Sequence, residues 1–218
     1  MSKNWKKLFL AGNILIAAFA IWTFLIQTVD VQAAGQNGSN IGFATFNRWF
    51  HRLTGVHMSV YNLTDCLELI PLFICIIFGG IGFVQLIKRR SLLKVDNDII
   101  LLGIYYAILI LVFVVFEMIP INYRPILIKG KMEASYPSST TLLVLSVMPT
   151  FIEQISRRLK NVPIKRIISI LTIIYMLFMV IGRLISGVHW FTDIVGSLFF
   201  SAGLFCIYQA LILLYNKK

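Results

Sequence analysis

The chain has 218 residues, of which 58% are hydrophobic and only 13% charged, and its mean hydropathy is +0.84. Those values exclude an ordinary soluble domain and define a membrane protein. A net charge of +11 would fit a nucleic-acid partner in a soluble chain, but the lysines and arginines cluster at the ends of apolar runs, where they set topology; no nucleic acid is expected.

In chain order, apolar runs long enough to cross about 30 Å of hydrocarbon fall at about 8–29, 67–87, 99–119, 138–155, 167–185 and 190–215. They predict an all-α, polytopic protein of six transmembrane helices, one domain over 1–218. The first run is too long for a signal peptide, and "VQAAGQ" is a weak cleavage site, so a retained helix is expected. Between the first two runs, Phe46, Trp49, Phe50, Leu53 and Val60 recur at helical spacing opposite Asn47, Arg48, His51 and Arg52, predicting a helix that lies in the membrane interface. "NGS" at Asn37 and "NLT" at Asn62 match glycosylation acceptors, a triplet common by chance. Cys66, Cys75 and Cys206 are odd in number and show no C-x-x-C spacing, so neither a disulfide framework nor a metal site is expected.

Basic residues fix the expected orientation. Lys3, Lys6 and Lys7, then Lys88, Arg89, Arg90 and Lys94, then Arg157, Arg158, Lys160, Lys165 and Arg166, then Lys217 and Lys218 all fall on one side. The positive-inside rule makes that side, with both termini, cytoplasmic. Composition and short charged loops point to a bacterial cell membrane.

Ionisable side chains within spans cost about 2.5–3.5 kcal/mol each on insertion scales, so their clustering marks a site. Here Glu117, Arg124, the "SYPSSTT" stretch, Arg183, His189 and Asp193 reach one outward-facing layer from separate segments. His189 and Asp193 stand four apart, a spacing at which a carboxylate can hold an imidazole nitrogen on one helix face. The other ring nitrogen is then available as nucleophile or base. Arg124 and Arg183 offer planar forks for phosphate oxygens, and Ser138, Ser139 and Thr140 bring hydroxyls and free N–H groups to a helix start. Taken singly, each has a plainer explanation: a snorkelling arginine, a helix-end hydrogen bond, a proline-serine helix start. Together they define a phosphate site beside a histidine nucleophile.

"GRLISGVHWFTD" with "PSST" and "EMIPINYRP" resembles the type 2 phosphatidic acid phosphatase (PAP2) family, integral-membrane phosphatases of lipid phosphates and diphosphates. The family motifs are K-x6-R-P, P-S-G-H and S-R-x5-H-x3-D. Arg183, His189 and Asp193 match the third with Gly182 in place of serine; Pro137 and Ser138 match the second with Ser139 for glycine and Thr140 for histidine; Arg124 and Pro125 match the first with Glu117 for lysine. The resemblance implies a PAP2-like helical core, His189 as the nucleophile that forms a phosphohistidine, Asp193 orienting it, and Arg124, Arg183 and Ser138 holding phosphoryl oxygens. It implies no metal and no cofactor, and as partners a lipid phosphate or diphosphate and the membrane lipids.

Two departures matter chemically. Thr140 cannot supply the leaving-group proton that the family's second histidine gives, a contribution of roughly 10²–10⁴-fold; His51 or His57 could stand in. Glu117 replaces a cation with an anion unless it turns to pair with Arg124. A lipid diphosphate, whose leaving phosphate has a second pKa of about 6, needs that proton least, so polyprenyl diphosphate is the favoured substrate, ahead of phosphatidate or phosphatidylglycerol phosphate. The alternatives are a phosphotransferase sharing the same covalent step, a non-catalytic lipid-phosphate binder, and a transporter using Glu68, Glu117, His189 and Asp193 as a proton relay, which would lack the usual inverted repeat.

Overall fold

A computed structural model describes residues 4–215; Lys3, Lys217 and Lys218 of the topology reading lie outside them. The helices are α1 (Asn4–Thr28), α2 (Ala44–Thr54), α3 (Met58–Leu67), α4 (Leu69–Arg89), α5 (Asn97–Met118), α6 (Ser139–Arg158), α7 (Val162–Ile185) and α8 (Phe191–Tyr215). Among the described residues the extended pairings are a two-residue strand pair, Gln32–Ala33 with Asn40–Ile41, and two isolated bridges in the α5–α6 connection. Helix α1, the run Met58–Arg89, α5, α7 and α8 are long and apolar enough to cross a membrane.

The fourth expected span, α6, has the length, about 30 Å for its 20 residues, but not the uniform apolarity. It packs against α4, α5, α7 and α8, and polar groups in its middle bond to those neighbours. Tyr105 donates to the Ser146 carbonyl at 3.0 Å, Gln154 donates to the Tyr208 hydroxyl at 3.0 Å, and Ser146 donates to Ser201 Oγ at 3.1 Å. Lipid would leave those groups unpaired, at about 1–3 kcal/mol each.

Helix α1 packs along α8 through glycines. A Cβ on Gly12 would lie 2.8 Å from the Gly203 carbonyl oxygen, and one on Gly203 would lie 3.1 Å from that of Gly12. Small residues at the crossing let two backbones approach, which is how membrane helices gain van der Waals contact without a hydrophobic drive between them. Helix α1 is thus built into the core through α8.

The second span departs most from expectation: its helix begins at Met58, not near residue 67. Pro71 has no N–H to bond the Leu67 carbonyl, so the helix breaks at Glu68 and the Tyr175 hydroxyl donates to that carbonyl at 3.0 Å. The turn of α3 upstream of the break therefore stays helical while leaning on α7. At α7 the start moves earlier, to Val162, because Asn161 caps it, its side chain accepting from the Ile164 N–H, with Pro163 in the first turn.

Helix α2 covers Phe46 to Leu53 of the expected amphipathic helix, but it ends at Thr54, and Val60 falls in α3 beyond a turn at Gly55. Phe46, Trp49 and Leu53 are exposed, and Phe46 and Phe50 pack on Phe191 at centroid distances of 5.3 and 5.1 Å. Its opposite face is anchored by buried Asn47, whose Nδ2 donates to Thr192 Oγ1 at 3.0 Å. The basic ends of α4 and α6 gather at one end of the bundle, where Arg158 pairs with Asp98 at 2.6 Å. The α3–α4 break, the α5–α6 connection and the α7–α8 turn lie at the other.

Candidate active site

The α7–α8 turn sets the centre. Gly187 takes φ +71°, and a Cβ there would lie 2.1 Å from the Gly55 carbonyl oxygen, so only glycine permits the turn and the close approach of the α2–α3 loop. Trp190 stands before the first turn of α8, and its N–H donates to Asp193 Oδ2 at 2.8 Å, the acidic half of a capping box. Capping fixes the position of the carboxylate at the start of α8.

His189 therefore sits before α8, not on it. Its Nδ1 lies 3.7 Å from Asp193 Oδ2 and 3.0 Å from the Ser135 carbonyl oxygen. A carbonyl only accepts, so Nδ1 carries the proton and Nε2 the lone pair. The expected direct carboxylate–imidazole bond is replaced by a relay: Ser135 Oγ stands 3.2 Å from Nδ1 and donates a short bond to Asp193 Oδ2. The intervening serine follows from the α5–α6 connection. Residues 123–134 form a small hairpin whose tip, Lys129–Gly130, has positive φ at both positions, as a tight primed turn requires. Its returning arm carries Ser135 beside His189.

Burial governs the imidazole. His189 is 4% exposed; loss of water pushes its pKa down to about 4, against the upward pull of Asp193 and with the charges of Arg124 and Arg183 adding to the fall. The ring is neutral at pH 7. Because the folded value lies below the unfolded value of about 6.5, the unfolded chain takes up the proton first as pH drops, so stability is lost between about 6.5 and about 4. The expected result is a thermal unfolding temperature that falls over that window, and falls less in His189→Gln; equal slopes in both would contradict it.

Arg183 is 2% exposed. Its Nη2 donates to Asp65 at 3.1 Å, to Glu68 at 3.2 Å and to Thr140 Oγ1, and its guanidinium lies 4.9 Å over the Tyr61 ring. Arg124 Nε lies 3.3 Å from Glu133, so Glu133, not Glu117, pairs with it; Glu117 is exposed. Ser138 precedes α6, its hydroxyl donating to Thr141 at 3.0 Å. No side chain caps the first turn of α6, leaving N–H groups of Ser139 and Thr140 for a ligand.

Several buried atoms have no partner: Arg124 Nη1, Arg183 Nε and Nη1, His189 Nε2 and Asp193 Oδ1. Unpartnered buried donors cost about 1–3 kcal/mol each, and Nε and Nη1 of Arg183 lie on either side of the Nη2 that already serves Asp65, Glu68 and Thr140, each a single donor open to an anion. Beside this polar cluster a cavity of about 350 Å³ opens between α4, α5 and α6, lined by Leu72, Leu109, Phe113 and Leu142, with Glu68 and Ser139 among its polar members.

The candidate residues named from sequence thus converge around His189, and the structure adds Ser135, Tyr61, Asp65 and Glu133 and ties Glu68, named from sequence only as part of a proton relay, to Arg183 and Thr140. Tyr61, Asp65 and Glu68 follow helical spacing, a stripe that would have been visible had the helix been placed over 58–67. Gly182 makes their approach possible. A Cβ there would lie 2.7 Å from Thr64 Cγ2, so serine at this position displaces α3. Gly182→Ser is expected to cost about 1–3 kcal/mol and to weaken phosphate binding, measured by thermal unfolding and by inhibition with inorganic phosphate; wild-type values for both would overturn this account.

Apolar spans around a buried, anion-ready polar cluster define a multi-pass membrane protein of helical-bundle type. A family model described as PAP2 superfamily matches residues 77–216, and the chain belongs to that superfamily. A similar solved structure is the first transmembrane PAP2-type phosphatidylglycerolphosphate phosphatase from Bacillus subtilis. It is 18% identical with a TM-score of 0.64, over 95% of this chain and 97% of that one, a likeness that establishes the fold. No curated protein matches by sequence.

Proposed function

We propose that this chain is a membrane phosphatase that removes phosphate from a lipid phosphate or diphosphate. The observation that carries the reading is the neutral His189, whose buried Nε2 has no partner and stands with unpartnered nitrogens of Arg124 and Arg183. Nε2 attacks phosphorus, forming a phosphohistidine, while Nδ1–H donates to the Ser135 carbonyl and Asp193, through Ser135 Oγ, favours the positive charge that develops on the ring. Arg124, Nε and Nη1 of Arg183 and the free N–H groups at the start of α6 hold the phosphoryl oxygens. The apolar cavity takes part of the lipid chain.

By the distribution of basic residues, both termini face the cytoplasm and the site faces outward. A carboxylate-relayed imidazole favours the enzyme over a mere binder, since binding needs the arginines alone. Thr140 ranks the substrates: polyprenyl diphosphate first, then phosphatidate or phosphatidylglycerol phosphate, the last being the lipid in the name of the similar Bacillus subtilis structure. Detergent-purified protein given polyprenyl diphosphate and phosphatidate in parallel is expected to release phosphate faster from the diphosphate. Equal or faster release from phosphatidate would reverse the ranking, and no release from either lipid would remove the enzyme.

A further inference from the structure

We infer that Glu68 hands the leaving oxygen its proton, filling the role left open by Thr140; the inference rests on the phosphatase reading above. Thr140 donates its hydroxyl proton to Glu68 Oε2 and accepts from Arg183 Nη2, so Glu68 stands one hydrogen bond behind the position at which the second motif departs. It is also where the chemistry needs an acid. With the phosphoryl oxygens on Arg183 and the lipid chain in the apolar cavity, the bridging oxygen lies at the junction of the two, and Glu68 lines the cavity while touching Arg183.

The other acids fit less well. His51 Nε2 is held at 3.0 Å by the Gly187 carbonyl, and exposed His57 is held at 2.9 Å by that of Thr54; neither bonds to Thr140, Arg183 or Glu68. Asp65 pairs with Arg183 but not with Thr140, and its side chain is 51% exposed. Glu117 reaches neither arginine. A phosphoryl group arriving on the guanidinium that Glu68 touches brings two acidic groups side by side, so the proton can come in with that group and pass between them.

The step balances. Nε2 of His189 forms a bond to phosphorus, the bond to the bridging oxygen breaks, and that oxygen takes the proton of Glu68, directly or through the Thr140 hydroxyl, leaving as alcohol or phosphate. Water then attacks the phosphohistidine, the Glu68 carboxylate takes its proton, and the phosphorus–nitrogen electrons return to Nε2.

The test is single-turnover release of the leaving group by wild type and Glu68→Gln from phosphatidate and from p-nitrophenyl phosphate, whose aryl oxygen leaves without help. The expected result is a loss of about 10²–10⁴-fold on phosphatidate and less than about 10-fold on the aryl ester, with partial recovery in Glu68→Asp. Asp65→Asn should shift both substrates by one common factor. An equal loss on both substrates in Glu68→Gln, or no loss on either, overturns the role of Glu68 while leaving the phosphatase intact. If wild type forms no phosphoenzyme from any substrate, the phosphatase reading falls and the role of Glu68 falls with it.

Discussion

Replacing His189 by alanine is expected to abolish lipid phosphate turnover, by at least about 10⁴-fold, while leaving lipid phosphate binding close to wild type. The reason is local. Nε2 of His189 is the unpartnered, neutral nitrogen of the cluster, whereas the anion-holding edges belong to Arg124, Arg183 and the start of α6. His189→Asn is the stricter variant, because its amide can still donate to the Ser135 carbonyl and hold the hairpin arm in place. The measurement is paired: steady-state phosphate release, and acid-labile, base-stable labelling of the protein by radiolabelled substrate. Loss of both with binding retained fits the covalent step; retained turnover in either variant would refute the nucleophile assignment, and weakened binding with unchanged turnover would move His189 into the binding set.

Arg183→Ala is expected to act on stability and catalysis together. The side chain is almost wholly buried and ties α7 to Asp65 and Glu68 of the α3–α4 break and to Thr140 of α6. Breaking a buried pair costs about 3–5 kcal/mol, but Asp65 is half-exposed and can turn to water, which lowers the expected loss to about 1–3 kcal/mol. Under the proposed function the unpartnered Nε and Nη1 of Arg183 are single donors to phosphoryl oxygens, and one preorganised donor is worth about 10²–10³-fold. Lysine keeps the charge but not the planar fork, so Arg183→Lys should recover stability more than rate. Thermal unfolding and inhibition by inorganic phosphate separate the two effects. Wild-type phosphate affinity in Arg183→Ala would place the anion elsewhere.

Much of the site was legible in the order of residues. Arg183, His189 and Asp193 stand at fixed spacing across one helix end and the next start, so their meeting follows from two adjacent spans. Ser138, Ser139 and Thr140 declare a helix start by their type. Ser135 was not legible as a partner of His189, because a hairpin of the α5–α6 connection brings it there and no periodicity marks such a connection. Asp65 was hidden for another reason: the apolar run that signals a span begins after it, although the helix begins before it; Glu68, at the start of that run, showed nothing in sequence of its contacts with Arg183 and Thr140. Glu117 drew attention by its motif position, yet backbone direction at the end of α5 leaves it exposed and gives Arg124 to Glu133.

By itself the sequence determined the all-α membrane character, the helix over 44–54 and the residues of the polar cluster around His189, since hydropathy and helix-start chemistry are local properties. Only the tertiary structure decided that α6 bonds to α5 and α8 through Ser146 and Gln154, that α1 locks to α8 through Gly12 and Gly203, and that Gly182 admits α3 against Arg183. Those outcomes depend on which surfaces meet at van der Waals distance. That pairing is long-range and leaves no periodic trace along the chain.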